Sequence, residues 1–338
     1  MKVYIRSAGN ISPQHSLDTN AFFTSRIKTT TDFFKAIEPD YDQFVDSKMI
    51  RRMSRIVKMG VAASITCLRN AGIEMPNAII TATAYGCLED SSVFLRKMIE
   101  FEEKMLSPTA FIQSTHNTVG AQIALLLKCH HYNNCIVHRA FSFENALIEA
   151  KTLLEDRISP VLVGAVDEIT NDRHAILSRF GLYKKDEKTT RNIAGEGAAF
   201  FLLDYESGNK PLAVLSDVHT IYEPENLQTE ITEFLKRNGL SADQVGLILS
   251  TRSGKTNHRK NDEIDLNAIF PGKPDFPFKS LSGDYPTASG FALWFASVLL
   301  NEQRAPAWMN APEFPLKNIF IHHDDGNLHH GFFLISSC

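Results

Sequence analysis

The sequence predicts a layered α/β protein built from two similar halves, and three observations carry that reading. Apolar runs at 78–84, 161–166, 198–204 and 245–250 have the near-continuous hydrophobicity of strands covered on both faces. They alternate with longer stretches at helical spacing, which supply the covering layers. After a polar, glycine-containing stretch at 206–210 the pattern starts again, dividing the chain into 1–205 and 206–338.

Residues 2–7 read as the first strand. One long helix is expected over 48–71, where Met49, Met53, Ile56, Val57, Met59, Gly60 and Ala63 make a broad apolar face. Lys48, Arg51, Arg52, Arg55 and Lys58 make this segment basic. A buried strand follows at 78–84, then an amphipathic helix at 90–103, punctuated by Ser107-Pro108, and a largely apolar helix at 117–129. Cys135, Ile136 and Val137 suit a short buried strand. From Ser142 a helix begins, with Ala146, Leu147 and Ala150 inward and Ser142 placed to cap it. The second half offers a strand at 212–222, a helix at 226–238, a strand at 245–250, a long apolar helix at 287–300 and a closing hairpin from 319–322 and 331–336.

With 338 residues, 43% of them hydrophobic, the chain can bury one large or two fused cores. The net charge of −4 gives no support for a nucleic-acid partner. No apolar run approaches the roughly 18 residues of a membrane span, and no signal peptide is evident. The five cysteines are scattered and form no CxxC pair, which points to a reducing cytoplasm. The doublets His130-His131, His322-His323 and His329-His330 are read as non-ligating, because neighbours on a strand face opposite ways and each doublet offers one ligand at most. No metal and no cofactor is expected.

The turn between Val137 and Ser142 has the strand-to-helix form that presents a catalytic Cys or Ser above a helix N-terminus. Its apex is Arg139, Ala140 and Phe141. Neither Ala140 nor Phe141 can attack a carbonyl.

Several ordered blocks resemble the β-ketoacyl synthase family of the thiolase superfamily. Arg51-Arg52-Met53-Ser54-Arg55 through Ala71-Gly72 is similar to an early helix motif, and Thr83 through Asp90 to the family's "GTGxGGLED" turn. Ser107 through Ala124 is similar to "SP-x-x-F…S-x-x-N-x-x-A-x-x-I-A", 163–168 to "AGG-x-E" and 195–198 to "GEGA". The resemblance implies the five-layered αβαβα thiolase fold. It also places the family's catalytic Cys on Ala140. The second catalytic histidine falls on Asp284, with Lys279, Gly283, Ala288 and Gly290 kept around it; the first falls on Arg252. His258 reads as a loop residue, and the family's closing glycine-rich loop is replaced by 325–330.

The resemblance therefore implies a ketosynthase-like subunit with no intact catalytic set. It would be similar to the chain-length factors of two-subunit ketosynthases, or to ketosynthase-like proteins of aryl-polyene or flexirubin pathways. Its partners would be an active ketosynthase, or a second copy of itself, and an acidic acyl carrier protein. Arg51, Arg52 and Arg55 are candidate docking residues for that carrier. Two competing expectations are an acyl-thioester hydrolase or decarboxylase using Asp284 or Ser142, and a homodimeric acyl-chain-binding protein. Cys135 and Glu196 read as structural.

Overall fold

The computed structural model describes residues 1–29, 31–104, 106–183, 193–251, 265–310, 312–325 and 328–338. Up to Asp204 the chain forms β1 (Val3–Ile11), α1 (Thr19–Thr24), β2 (Phe33–Phe34), α2 (Ser47–Ile50), α3 (Arg55–Ala71), β3 (Ala78–Ala82), α4 (Leu88–Glu100), α5 (Pro108–Gln113), α6 (Thr118–Leu127), β4 (Tyr132–Ile136), α7 (Ser142–Glu155), β5 (Val161–Asp167), α8 (Asn171–Arg179), β6 (Ala194–Gly195) and β7 (Gly197–Asp204). It continues with β8 (Ala213–Tyr222), α9 (Leu227–Arg237), β9 (Leu247–Ser250), α10 (Leu266–Ile269), β10 (Asp275–Pro277), α11 (Lys279–Ser282), α12 (Ser289–Glu302), β11 (Asn318–Asp324) and β12 (His329–Ser336).

Ten strands run in the order β10-β9-β11-β12-β8-β1-β7-β5-β3-β4. This is one five-strand pattern used twice. In β4-β3-β5-β7-β1 three parallel strands are followed by two antiparallel steps, and β10-β9-β11-β12-β8 repeats the arrangement. The two blocks meet at β1 and β8 through three residue pairs, Val3↔Leu215, Tyr4↔Val214 and Ile5↔Ala213.

Alternation along each strand builds the layers. Ala78, Ile80, Val163, Ala165 and Phe201 face one cluster that also contains Leu247, Leu249, Ile319 and Ile321 of the other block, with α7 and α12 between them. Ile79, Leu162, Phe200 and Leu202 face outward onto α3 and α6. Ile248, Phe320, Phe332 and Leu334 face α9 and α10. The result is helix, sheet, helix, sheet, helix: the five layers that the resemblance implied. α12 is buried from Ser289 to Leu300, as a helix that is apolar all round must be.

Local differences have local causes. The helix expected over 48–71 is two pieces. Ser54 takes an extended conformation (φ −68°, ψ 168°) and starts α3, so Arg51 and Arg52 lie in the turn before that helix. The strand expected to be buried around Cys135 is β4, the last in the order, and with one neighbour it stays half-exposed. At the opposite end β10 is only three residues long and carries Asp275 and Pro277. Ser142 is the first residue of α7 rather than its N-cap, which is Phe141.

Candidate functional site

β4 delivers the chain to a tight turn: His138 leads into a single 3-10 turn over Arg139–Phe141, and α7 follows directly. Arg139 sits at φ +48°, a left-handed conformation costing a non-glycine residue about 1–2 kcal/mol. Ala140 at the apex is buried. Ser142 secures the turn: its Oγ accepts from the His138 N–H (2.8 Å) and donates to the Arg139 carbonyl (2.7 Å). That commitment spends the proton a nucleophilic serine would give to a base. Phe141 packs edge-on against His329 at 4.7 Å between ring centres, so the hairpin of β11 and β12 reaches this turn.

Cys135 is no substitute nucleophile. Its thiol points to the His116 carbonyl at 3.2 Å, and burial pushes its pKa up, away from a thiolate.

Asp284 lies on the segment leading into α12. Its backbone is clamped by Asp284 N–H to Ile193 O (2.7 Å) and Gly195 N–H to Asp284 O (3.0 Å). Gly195 and Gly283 pass so close that a Cβ on Gly195 would meet Ser282 O at 2.2 Å. The Asp284 carboxylate pairs with Lys279 Nζ at 2.7 Å. Lys279 is buried and also donates to the Asp324 carbonyl at 3.2 Å. Burial alone would lower the Lys279 pKa, but Asp284 and Asp324 outweigh it and the net shift is upward, so this lysine is a held cation and not a base. Arg252 and His258 lie outside the described residues.

Two buried carboxylates frame this region. Asp167, at the end of β5, accepts from Thr83 Oγ1 (2.8 Å), Ala84 N–H (2.9 Å) and Thr287 Oγ1 (2.8 Å), which ties α12's approach to the first block. Burial nevertheless raises its pKa against those hydrogen bonds. Glu196 accepts from Arg55 Nη1 (2.7 Å) and Nη2 (2.6 Å) and from the N–H groups of Ala36 and Ile169 (both 2.9 Å). Arg55 also holds Glu38 at 2.5 Å. Arg55 is thereby turned toward Glu196 and half-buried, whereas Arg51 and Arg52 are exposed.

One pair escaped sequence reasoning. Glu144, in the first turn of α7, is buried and meets His323 Nδ1 at 2.8 Å. Among the described residues, Glu144 Oε2 and His323 Nε2 have no partner. A signal was present: Glu144 lies on the stripe of α7 that buries Phe143, Ala146, Leu147 and Ala150, where a carboxylate needs a partner.

Among the described residues, neither the apex of this turn nor position 284 offers a thiol or an imidazole. In condensation an acyl chain is carried on a thiolate and the enolate oxygen is met by hydrogen-bond donors. Here the apex is a methyl group, and a carboxylate bound to lysine stands at 284.

Residues 32–180 match the family described as beta-ketoacyl synthase, N-terminal domain. A comparison with curated protein sequences finds no match. Among solved structures, the ishigamide ketosynthase/chain length factor superposes with a TM-score of 0.83 at 14% identity, over 100% of this chain and 99% of that one. A type II polyketide ketosynthase in complex with its acyl-carrier protein gives 0.77 at 15%, over 100% and 99%. The ketosynthase ApeO in complex with its chain length factor ApeC, from Xenorhabdus doucetiae, gives 0.77 at 13%, over 100% and 98%.

Proposed function

We propose that this chain is a ketosynthase-like member of the thiolase superfamily and, within it, a non-catalytic partner subunit comparable to a chain length factor. The observation that carries the reading is the apex of the turn: Ala140 is buried there, with α7 formed behind it and no thiol or activated hydroxyl in its place. The Lys279–Asp284 ion pair supports it, because a carboxylate beside a developing oxyanion opposes the condensation step. Loss of one oxyanion donor costs on the order of 10²–10³ in rate, and here the expected nucleophile position is a methyl group and the expected position of the second histidine is a carboxylate.

A partner subunit needs a docking face, and exposed features of the first block support one there. Among the described residues β4 ends the sheet with an unpaired backbone edge, and Tyr132 on it and Val137 just after it are exposed. Leu95, Ile99, Phe111, Ile112 and Leu125, on α4, α5 and α6, add exposed apolar area in the same half of the chain. An active ketosynthase would cover this face and supply the reacting Cys and His groups. Arg51 and Arg52, exposed before α3, are the residues left to attract an acidic carrier protein.

The test is co-expression with an active ketosynthase from the same genome. A 1:1 complex that condenses acyl units is expected, with no condensation and no acyl-enzyme formation by this chain alone. Val137→Asp should break the complex. A stable homodimer that ignores the synthase, or turnover of acyl-carrier protein abolished by Asp284→Asn, would overturn the proposal in favour of a self-paired binding protein or a hydrolase.

A further inference from the structure

The closing hairpin carries a constellation that the ketosynthase-like reading does not use. In the register of β11 and β12, Asp324 stands directly opposite His330, and His322 lies two residues before Asp324 on the same face. Each histidine doublet does give that face one residue, but the hairpin places the two contributions together. His322 Nε2 and His330 Nδ1 are 3.2 Å apart, and the ligand-capable atoms of His322, Asp324 and His330 all lie within 4.8 Å of one another. His322 is buried and the other two are half-buried.

We propose that His322, Asp324 and His330 form a binding site for one divalent transition-metal ion, with zinc as the reference ion. Two imidazoles and one carboxylate suit zinc and its neighbours, and suit magnesium or calcium poorly. In a tetrahedral zinc site with Zn–N of about 2.05 Å, ligand atoms stand about 3.3 Å apart, close to the separation of the two ring nitrogens. Closing the set needs ring and carboxylate rotation within the present spacing.

The surroundings already orient the carboxylate. Thr251 Oγ1 donates to Asp324 Oδ2 at 2.5 Å, and the Asp324 N–H returns to Thr251 Oγ1 at 3.3 Å. Such outer hydrogen bonds are what hold metal ligands in place. The Lys279 cation, on the Asp324 carbonyl, carries its own counter-ion in Asp284, and Asp325 adds a further carboxylate bonded to His329 at 2.9 Å. The three protein ligands leave a fourth position for water or an incoming group. An ion here would clip β11 to β12 beside the turn of Ala140.

The experiment uses the full chain, stripped with a chelator, loaded with zinc chloride and desalted, with retained metal counted by mass spectrometry. Cobalt(II) absorption reports the geometry of the site. About one zinc per chain is expected in the wild type and in His131→Ala, an exposed control. His330→Ala should bind at least about a hundredfold more weakly, having lost one of three ligands. If His330→Ala does not give the wild-type circular dichroism, His330→Gln, which keeps polarity and bulk, carries the same comparison. Equal retention by wild type and variant, or no retention by the wild type, overturns the assignment.

Discussion

Replacing Arg55 with alanine tests whether that residue is a structural anchor or part of a docking surface. In the fold its guanidinium makes both charged hydrogen bonds to Glu196, whose carboxylate is fully buried, and a third bond to Glu38. Arg55→Ala leaves the Glu196 charge with only the Ala36 and Ile169 N–H groups. Removing one partner of a buried pair costs about 3–5 kcal/mol. At about 2.1 cal/mol/K per residue, the 338 residues give an unfolding entropy of about 0.7 kcal/mol/K, so Tm should fall by about 4–7 °C. Scanning calorimetry at low micromolar protein measures this. Arg55→Lys should recover only part of the loss, since a lysine cannot make the bidentate bond. A shift below about 1 °C for Arg55→Ala, alongside weakened carrier-protein binding, would refute the reasoning and return Arg55 to the surface set.

Four further outcomes are expected. Arg51→Ala with Arg52→Ala should leave Tm within about 1 °C, both being exposed, yet weaken carrier-protein association in a salt-dependent way, read by titration at two ionic strengths. Glu168 is buried, and burial pushes its carboxyl from 4.5 up to about 7, so the folded state keeps a proton the unfolded chain releases. Its stability contribution is full below 4.5 and lost as pH rises through about 7, roughly 3 kcal/mol in all, and Glu168→Gln should flatten that part of the denaturation profile. Gly195→Ala should destabilise by about 1–3 kcal/mol or more in urea melts, because its methyl would meet backbone atoms of Ser282 and Gly283 at 2.2–2.5 Å. His323→Phe should be strongly destabilising alone, about 3–5 kcal/mol, and much less so combined with Glu144→Leu, which removes the stranded carboxylate as well.

What was legible in the chain follows from how each feature is encoded. The buried strands announced themselves through short-range composition: Val161–Asp167 and Gly197–Asp204 are apolar because both faces are covered, and no partner need be known to see it. The ordered motifs carried the five layers and pointed to Ala140 and Asp284. Long-range pairings were hidden. Arg55 reads as one more exposed base in a basic run, and only the 141-residue separation from Glu196, closed by the fold, turns it inward. Glu144 and His323 are 179 residues apart, and nothing local to either names the other. The break before α3 is hidden for a different reason: the apolar spacing continues through Met53, while one extended residue, Ser54, interrupts the backbone. Each histidine doublet, read alone, offers a face one residue, whereas strand register, a property of the hairpin, decides what the doublets share.

The two ends of the ten-strand array have different capacities for growth. Among the described residues, the ladder at β10 stops after three residues with Pro277, which has no N–H to offer a neighbour, while β4 ends it with a five-residue run and a bare edge. A surface with one adhesive end has a valence of one. If the proposed partner pairs at β4, a copy of this chain and a foreign subunit would compete for one seat, and relative expression, rather than affinity alone, would set which pair forms.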